Sequence, residues 1–344
     1  MENNSIRKSN FELLRIIMMI LIVLHHYIWH GNFNIGSPNE VNNIILECLG
    51  FGGKIGINVF ILITGYFMIS SEFKLRKVLI IYGELLFYSA IISVGFGIFH
   101  RSDISVGYIL DAVFPFITNR HNYITSYLIL YCLIPFINKL INVLEKKEYE
   151  KLIIFLMVVM VIIPSIMSIR IGWVNNVYSY VFWMIFIYIV GGYIRLYMDD
   201  RAFKSERLLT CIAILGTWGI TVICGRFKFI NTYYFISNTY TIPIFITSVM
   251  IFVCFKNINI KHNRLINYIS ASVLAVYLIH DDVLIRNWIW SEIFKGNELT
   301  GTRMLVVNLL ASTFVVFFIC IALDKIRINT VEKVYIKLLN RIIK

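Results

Sequence analysis

Residues 11–30 read FELLRIIMMILIVLHHYIWH. Between Arg15 and His25 the stretch contains only aliphatic residues and methionine. Twenty such residues in a helix are long enough to cross the hydrocarbon core of a bilayer. No small-residue cleavage site follows, and histidines interrupt the outer end, so we do not expect a cleaved signal peptide. The stretch therefore predicts a retained transmembrane helix.

The composition extends this prediction to the whole chain. Of its 344 residues, 58% are hydrophobic and 15% are charged, and the mean hydropathy is +0.75. A soluble domain of this length has a charged fraction of about a quarter. The sequence thus excludes a cytosolic enzyme, a secreted disulfide scaffold and a disordered chain. The six cysteines include no Cys-x-x-Cys pair, so we expect neither a disulfide framework nor a metal site.

Further apolar windows follow along the chain, each about as long as a bilayer-crossing helix requires. They predict an all-α integral membrane protein, a polytopic bundle of about ten transmembrane helices. The second window is short for a span. The predicted windows are 11–30, 55–70, 78–99, 123–143, 152–168, 177–197, 207–224, 233–255, 267–286 and 304–323.

The distribution of basic residues predicts the orientation of this bundle. The chain has 32 Lys and Arg against 20 Asp and Glu, a formal net charge of +12. If the N-terminus is inside, 22 of the 32 fall on inner segments, nine on outer loops, and only Arg15 within a span. Cytoplasmic loops collect Lys and Arg, so both termini are predicted to be cytoplasmic. No cluster of basic residues is left over to bind nucleic acid, so nucleic acid is not expected as a partner.

No repeat or low-complexity linker divides the chain, so residues 1–323 are predicted to form one transmembrane domain. Residues 324–344 differ, because apolar residues recur there at three- and four-residue steps between basic ones. This pattern predicts a cytoplasmic basic amphipathic tail lying on the anionic inner leaflet, a membrane-lipid contact. A solvated helical end is the alternative.

Ionisable side chains inside spans are costly, so each is a candidate site residue. Arg15 and His26 are eleven residues apart, which places them on one face of a helix and about 16 Å apart along it. His280, in the ninth window, falls at a depth similar to that of His26. With Asp281 or Asp282 beside it, the outer half of the bundle has a base and a carboxylate that could orient it.

Two other readings of the ionisable residues stay open at this point. The histidine and aspartate side chains could instead lie at the headgroup interface, where they cost little. Glu84, about 9 Å into the third span, could pair with Arg15 across the bundle.

Four segments in chain order resemble the acyltransferase-3 family, whose integral-membrane members O-acylate cell-surface glycans and related acceptors. The first is the Arg15-x10-His26 spacing. The other three are GINVFILITGYF at 56–67, SYLILYCLIPFIN at 126–138 and SVLAVYLIH at 272–280.

The chain departs from the family pattern at the start of the third span. The family often has an Arg-x-x-Arg pair there, whereas this chain has three basic residues of different spacing. Which of the three touches the donor is therefore left open.

The resemblance implies an acyl-CoA donor, acetyl-CoA, bound from the cytoplasmic side without a metal. It implies His26 as general base, with an acyl-His26 intermediate as the other route. The remaining roles implied are of three kinds: catalysis by Arg15 and His280 beside His26; donor binding by Arg15, Lys74, Arg76 and Lys77; substrate binding by Tyr127, Tyr277 and Asp282.

The sequence thus predicts a multi-pass protein of the cell membrane that moves an acyl group to a hydroxyl of a surface polysaccharide or lipid-linked glycan. An exporter of such glycans is the main alternative, and it would predict paired halves with repeated hydropathy. No such symmetry is visible in the sequence. A sensory or anchoring membrane module is a third possibility. The acceptor, the acyl group and the oligomeric state are left open by the sequence.

Overall fold

The computed structural model describes residues 8–33, 41–99, 105–171, 180–199, 205–227, 234 and 238–342. Across these ranges every regular element is helical, which confirms the all-α prediction. The α-helices are α1 Ser9–His30, α2 Val41–Gly50, α3 Gly52–Met68, α4 Leu75–Phe99, α5 Val106–Val113, α6 Asn122–Asn142, α7 Lys146–Met157, α8 Ile163–Ile171, α9 Tyr180–Tyr197, α10 Glu206–Phe227, α11 Ile242–Asn257, α12 Arg264–Ser270, α13 Val273–His280, α14 Met304–Arg327 and α15 Lys333–Ile342.

Eight helices or helix pairs in the described ranges are long and apolar enough to cross a membrane. The eighth and ninth predicted windows instead coincide with shorter apolar helices, Ile242–Asn257 and Arg264–His280. The count of ten spans therefore stays a prediction, as does the orientation of the termini. Residues 177–179, 233 and 235–237 of the predicted windows lie outside the described residues. The second window is longer than predicted, because α2 and α3 form one apolar segment, Val41–Met68.

Helix α1 lies at the centre of the bundle. It packs against α2, α3, α11, α12, α13 and α14, and fourteen of its 22 residues are buried. A helix that is apolar on all sides is stable only when other apolar surface covers it all round. One side of α1 joins a core with α3, α6, α9 and α11, and the other joins a core with α13 and α14.

Glycines allow α3 to approach its two neighbours closely. A Cβ at Gly65 would lie 2.2 Å from the carbonyl oxygen of Tyr188 in α9, and one at Gly191 would lie 2.5 Å from that of Leu62. On the other side, a Cβ at Gly56 would lie 2.9 Å from the carbonyl oxygen of Met18 in α1. Small residues at such contacts let helix backbones pack tightly. Gly56 and Gly65 therefore serve packing, and they fix α3 against the central helix.

The C-terminal segment continues from α14 without a break at residue 324. A π-helical turn, Ile328–Glu332, links α14 to α15, and the Tyr335 hydroxyl donates to the carbonyl of Leu79 in α4 at 2.7 Å. Arg327 lies 3.4 Å from Glu84 and 2.7 Å from Asp324, both buried. The prediction that Glu84 pairs with Arg15 is wrong, because Arg327 occupies that position. The cytoplasmic location of residues 324–344 stays a prediction.

Candidate active site

A cavity of about 430 Å³ lies along one face of α1. Arg15 and His26 both line it, with Met19 and Ile22 between them on the same face. The eleven-residue spacing places the two polar side chains about 16 Å apart along the helix axis. The cavity is therefore a passage that joins a guanidinium at one end to an imidazole at the other.

The other walls of the cavity come from α3, α4, α6, α9, α12 and α13. Its lining is largely apolar, with polar groups at both ends. Cavities of this size and character are typical of small-molecule sites. Two of the tyrosines predicted to bind substrate, Tyr127 and Tyr277, belong to the lining. The other polar lining residues are Lys54, Thr64, Asn122, Tyr123, Tyr180, Ser270 and Asp281.

His26 forms the centre of a polar cluster with residues at the end of α13 and just after it. Its Nδ1 lies 2.9 Å from Nε2 of His280 and 3.4 Å from Oδ1 of Asp281. The same carboxylate oxygen lies 3.8 Å from Nε2 of His30 and 3.9 Å from Nη1 of Arg286. The structure thus brings together the two histidines predicted from separate spans. Of the two predicted carboxylates, it is Asp281 that lies beside His26.

The hydrogen-bond partners determine the proton positions on this histidine pair. Nδ1 of His280 contacts the carbonyl oxygen of Val276, which can only accept, so Nδ1 is the protonated nitrogen. A neutral His280 then has a lone pair on Nε2, which accepts from Nδ1–H of His26. His26 is left with an unprotonated Nε2. The arrangement therefore presents His26 as a base.

At the other end of the cavity, Arg15 is held by residues of α1 and α12. Its Nη1 lies 3.2 Å from Oε1 of Glu12, whose other oxygen accepts a 2.6 Å hydrogen bond from Ser270. The Arg15 side chain is still 35% exposed, so several of its donors can reach a ligand. The carboxylate orients the guanidinium without covering it.

The three basic residues at the start of α4 are exposed and do not line the cavity. Lys77 is within electrostatic reach of Lys74 and Arg15, whereas Nε of Arg76 donates to Asn340 at 3.3 Å. Lys74 and Lys77 thus share the Arg15 end of the bundle. Arg76 is partly engaged by α15.

Asp282 lies beside the cavity rather than in its lining. Arg120 donates two parallel hydrogen bonds of 2.9 Å to the carboxylate, and a third of 2.7 Å to Ser93. Nε2 of His121 lies 3.2 Å from the same carboxylate. The buried carboxylate is therefore paired with a buried guanidinium. Asp282 does not line the cavity, and its carboxylate holds the turn after α13. Its role in substrate binding stays a prediction.

The family model for acyltransferase-3, described as an acyltransferase domain, matches residues 8–324. The chain belongs to the acyltransferase-3 family. The match covers every element from α1 to most of α14, and it includes all the cavity residues named above. No curated protein and no solved structure matches the chain significantly.

Several polar residues of this membrane acyltransferase were not predicted from the sequence. Lys54 lines the cavity, and Arg120 and His121 surround Asp282. The run Arg120-His121-Asn122 directly before an apolar span is the signal that could have indicated the second pair. The sequence around Lys54 contains no such signal, because a lysine at the edge of the second window is typical of an outer loop.

The part of the acyltransferase that the structure describes contains no group of three or more His, Cys, Asp or Glu side chains placed to hold a metal ion.

Proposed function

We propose that this acyltransferase moves an acyl group, acetyl, from acyl-CoA on the cytoplasmic side to a hydroxyl of a cell-surface polysaccharide or lipid-linked glycan. The observation that carries the proposal is the single cavity that joins Arg15 to the base His26. The cell membrane is the proposed location. The length of about 16 Å between the two residues is comparable with that of a pantetheine arm.

The Arg15 end of the cavity is suited to the phosphates of the donor. Guanidinium groups bind phosphate through paired hydrogen bonds, and ammonium groups add charge. Arg15 lines this end of the cavity, and Lys77, itself close to Lys74, is within electrostatic reach of it on the surface. Arg76 has a partner in α15, so we assign the donor contact to the two lysines and Arg15.

His26 supplies the acid–base chemistry at the other end. Its Nε2 takes the proton of the acceptor hydroxyl as that oxygen bonds to the carbonyl carbon of the donor thioester. The carbon–sulfur bond breaks, and the leaving sulfur receives the proton from His26. The products are an O-acyl ester and free CoA thiol. Asp281, 3.4 Å from Nδ1, stabilises the imidazolium that exists between the two proton transfers.

The contact with His280 favours the base over an acyl-His26 intermediate. His280 accepts from Nδ1–H of His26, and its own Nδ1 is anchored on the Val276 carbonyl, so the ring of His26 is held in one tautomer. That is what a positioned base requires. Tyr127 and Tyr277 have hydroxyls in the same cavity and are proposed to hold the acceptor and the oxyanion.

The test replaces His26 with alanine and supplies membranes with acetyl-labelled acetyl-CoA. We expect incorporation of label into glycan and lipid-linked glycan to fall about 100-fold or more, because general base catalysis contributes 10²–10⁴-fold. The matched control is His262→Ala, an exposed histidine in the loop before α12. Mass spectrometry of surface glycans with and without the gene identifies the acceptor and the acyl group.

Unchanged labelling in the His26→Ala membranes would overturn the mechanism. Loss of surface glycan with full acyl labelling of what remains would instead favour the exporter. Label found covalently on the protein after an acid quench would replace the direct route with the acyl-enzyme route.

A further inference from the structure

Lys54 occupies the same end of the cavity as the proposed base. It lies in the first turn of α3, which is pressed against α1 at the level of His25: a Cβ at Gly53 would lie 2.4 Å from the Cβ of His25. Lys54 itself lines the cavity together with His26 and Asp281. The backbone that carries Lys54 is therefore held beside the proposed reaction site by the close packing of two helices.

The charge of Lys54 has no dedicated counter-ion in the described part of the chain. No carboxylate oxygen there lies within 4.0 Å of its ammonium nitrogen, and no hydrogen bond to it is formed. Asp281, the carboxylate of the same cavity, also faces His26, His30 and Arg286. It is therefore shared among several partners, and Lys54 has no ion pair of its own among the described residues.

An uncompensated ammonium inside a membrane protein costs several kcal/mol unless a partner or a water-filled cavity receives it. The surrounding lining adds tyrosine hydroxyls and the amide of Asn122 but no second carboxylate. A ligand that brings a negative charge to this end of the cavity would supply the missing partner. The donor phosphates do not, because Arg15 and its neighbouring lysines lie at the opposite end.

We infer that Lys54 binds an anionic group, a carboxylate or a phosphate, carried by the acceptor whose hydroxyl His26 deprotonates. This rests on the proposed function, and it narrows the acceptor class to acidic saccharides or glycosyl phosphates. Lys54 takes no part in bond making. It selects the acceptor by charge, and it places the reacting hydroxyl against His26.

The experiment uses purified full-length protein and three small probes: methyl β-glucoside, methyl β-glucuronide and glucose 1-phosphate. Binding is measured by equilibrium dialysis, and acetyl transfer is measured with acetyl-CoA. We expect the two anionic probes to bind about 10- to 100-fold more tightly than the neutral glucoside, the range of a charge-assisted contact. Comparison of glucuronide with glucose 1-phosphate separates a carboxylate from a phosphate ligand.

Lys54→Gln should abolish this preference, and Lys54→Arg should keep most of it. The matched control is Lys295→Gln, which removes the same charge from a side chain that is 53% exposed and pairs only with Glu298. Equal binding of glucoside and anionic probes by the wild type, or a preference that survives in Lys54→Gln, overturns the inference. Charge-dependent binding without acetyl transfer would leave Lys54 as the anion site and count against the proposed acyl transfer instead.

Discussion

Two neighbouring aspartates offer the sharpest test of how the site is built. The same substitution, Asp→Asn, should harm stability at Asp282 and chemistry at Asp281. Asp282 is fully buried and receives two hydrogen bonds of 2.9 Å from Arg120, whose side chain is 1% exposed. Asp281 lines the cavity, and its side chain is 14% exposed, with partners at 3.4–3.9 Å.

The expected magnitudes follow from these contacts. Asp282→Asn leaves the Arg120 guanidinium charged and buried, and removal of one partner from a buried ion pair costs about 3–5 kcal/mol. At about 2 °C per kcal/mol, the melting temperature should fall by roughly 6–10 °C. Asp281→Asn removes longer and partly solvated contacts, which are worth about 1 kcal/mol or less. It should instead slow acetyl transfer about 10- to 100-fold, because the His26 imidazolium loses its carboxylate.

The assay compares both variants and the wild type in lipid nanodiscs, by intrinsic fluorescence melting and by transfer rate per folded molecule. The double variant Arg120→Gln/Asp282→Asn is the internal control, since loss of both partners should cost less than the sum of the single losses. A melting temperature of Asp282→Asn within about 2 °C of the wild type would refute the structural role assigned to the Arg120–Asp282 pair. An equal drop for Asp281→Asn would refute the division of roles.

A further prediction concerns packing. Gly191→Ala would place a Cβ 2.5 Å from the Leu62 carbonyl oxygen and should cost about 1–3 kcal/mol by melting, whereas Gly216→Ala, with no atom within 4 Å, should be neutral or slightly stabilising.

Most of the helices could be predicted from hydropathy alone, because a bilayer imposes a minimum apolar length on each span. The errors occur where that rule weakens. The segment Val41–Met68 begins with α2, which carries Glu47 and two asparagines and did not read as a span. In the ninth window the chain turns between α12 and α13, so the helix there is shorter than the apolar run implied.

Some contacts of the candidate site follow from the local sequence, and others depend on how distant segments pack together. Arg15 and His26 share one helix, so the helical repeat alone predicts that they share a face. The Arg327–Glu84 pair and the Arg120–Asp282 pair each join residues more than 150 positions apart. Which cation meets which carboxylate then depends on how the helices pack, and the sequence contains no local pattern that fixes it.

The turn that ends α13 directs three successive side chains to different places in the site. His280 contacts His26, and Asp281 lines the cavity. The next residue, Asp282, accepts hydrogen bonds from Arg120. A helix end permits this divergence, because side chains beyond the last turn no longer follow the helical repeat. The buried ion pair of Asp282 therefore restrains the backbone on which His280 and Asp281 are mounted. Asp282 therefore supports the site through the stability of this turn, whereas Asp281 acts through its contact with His26.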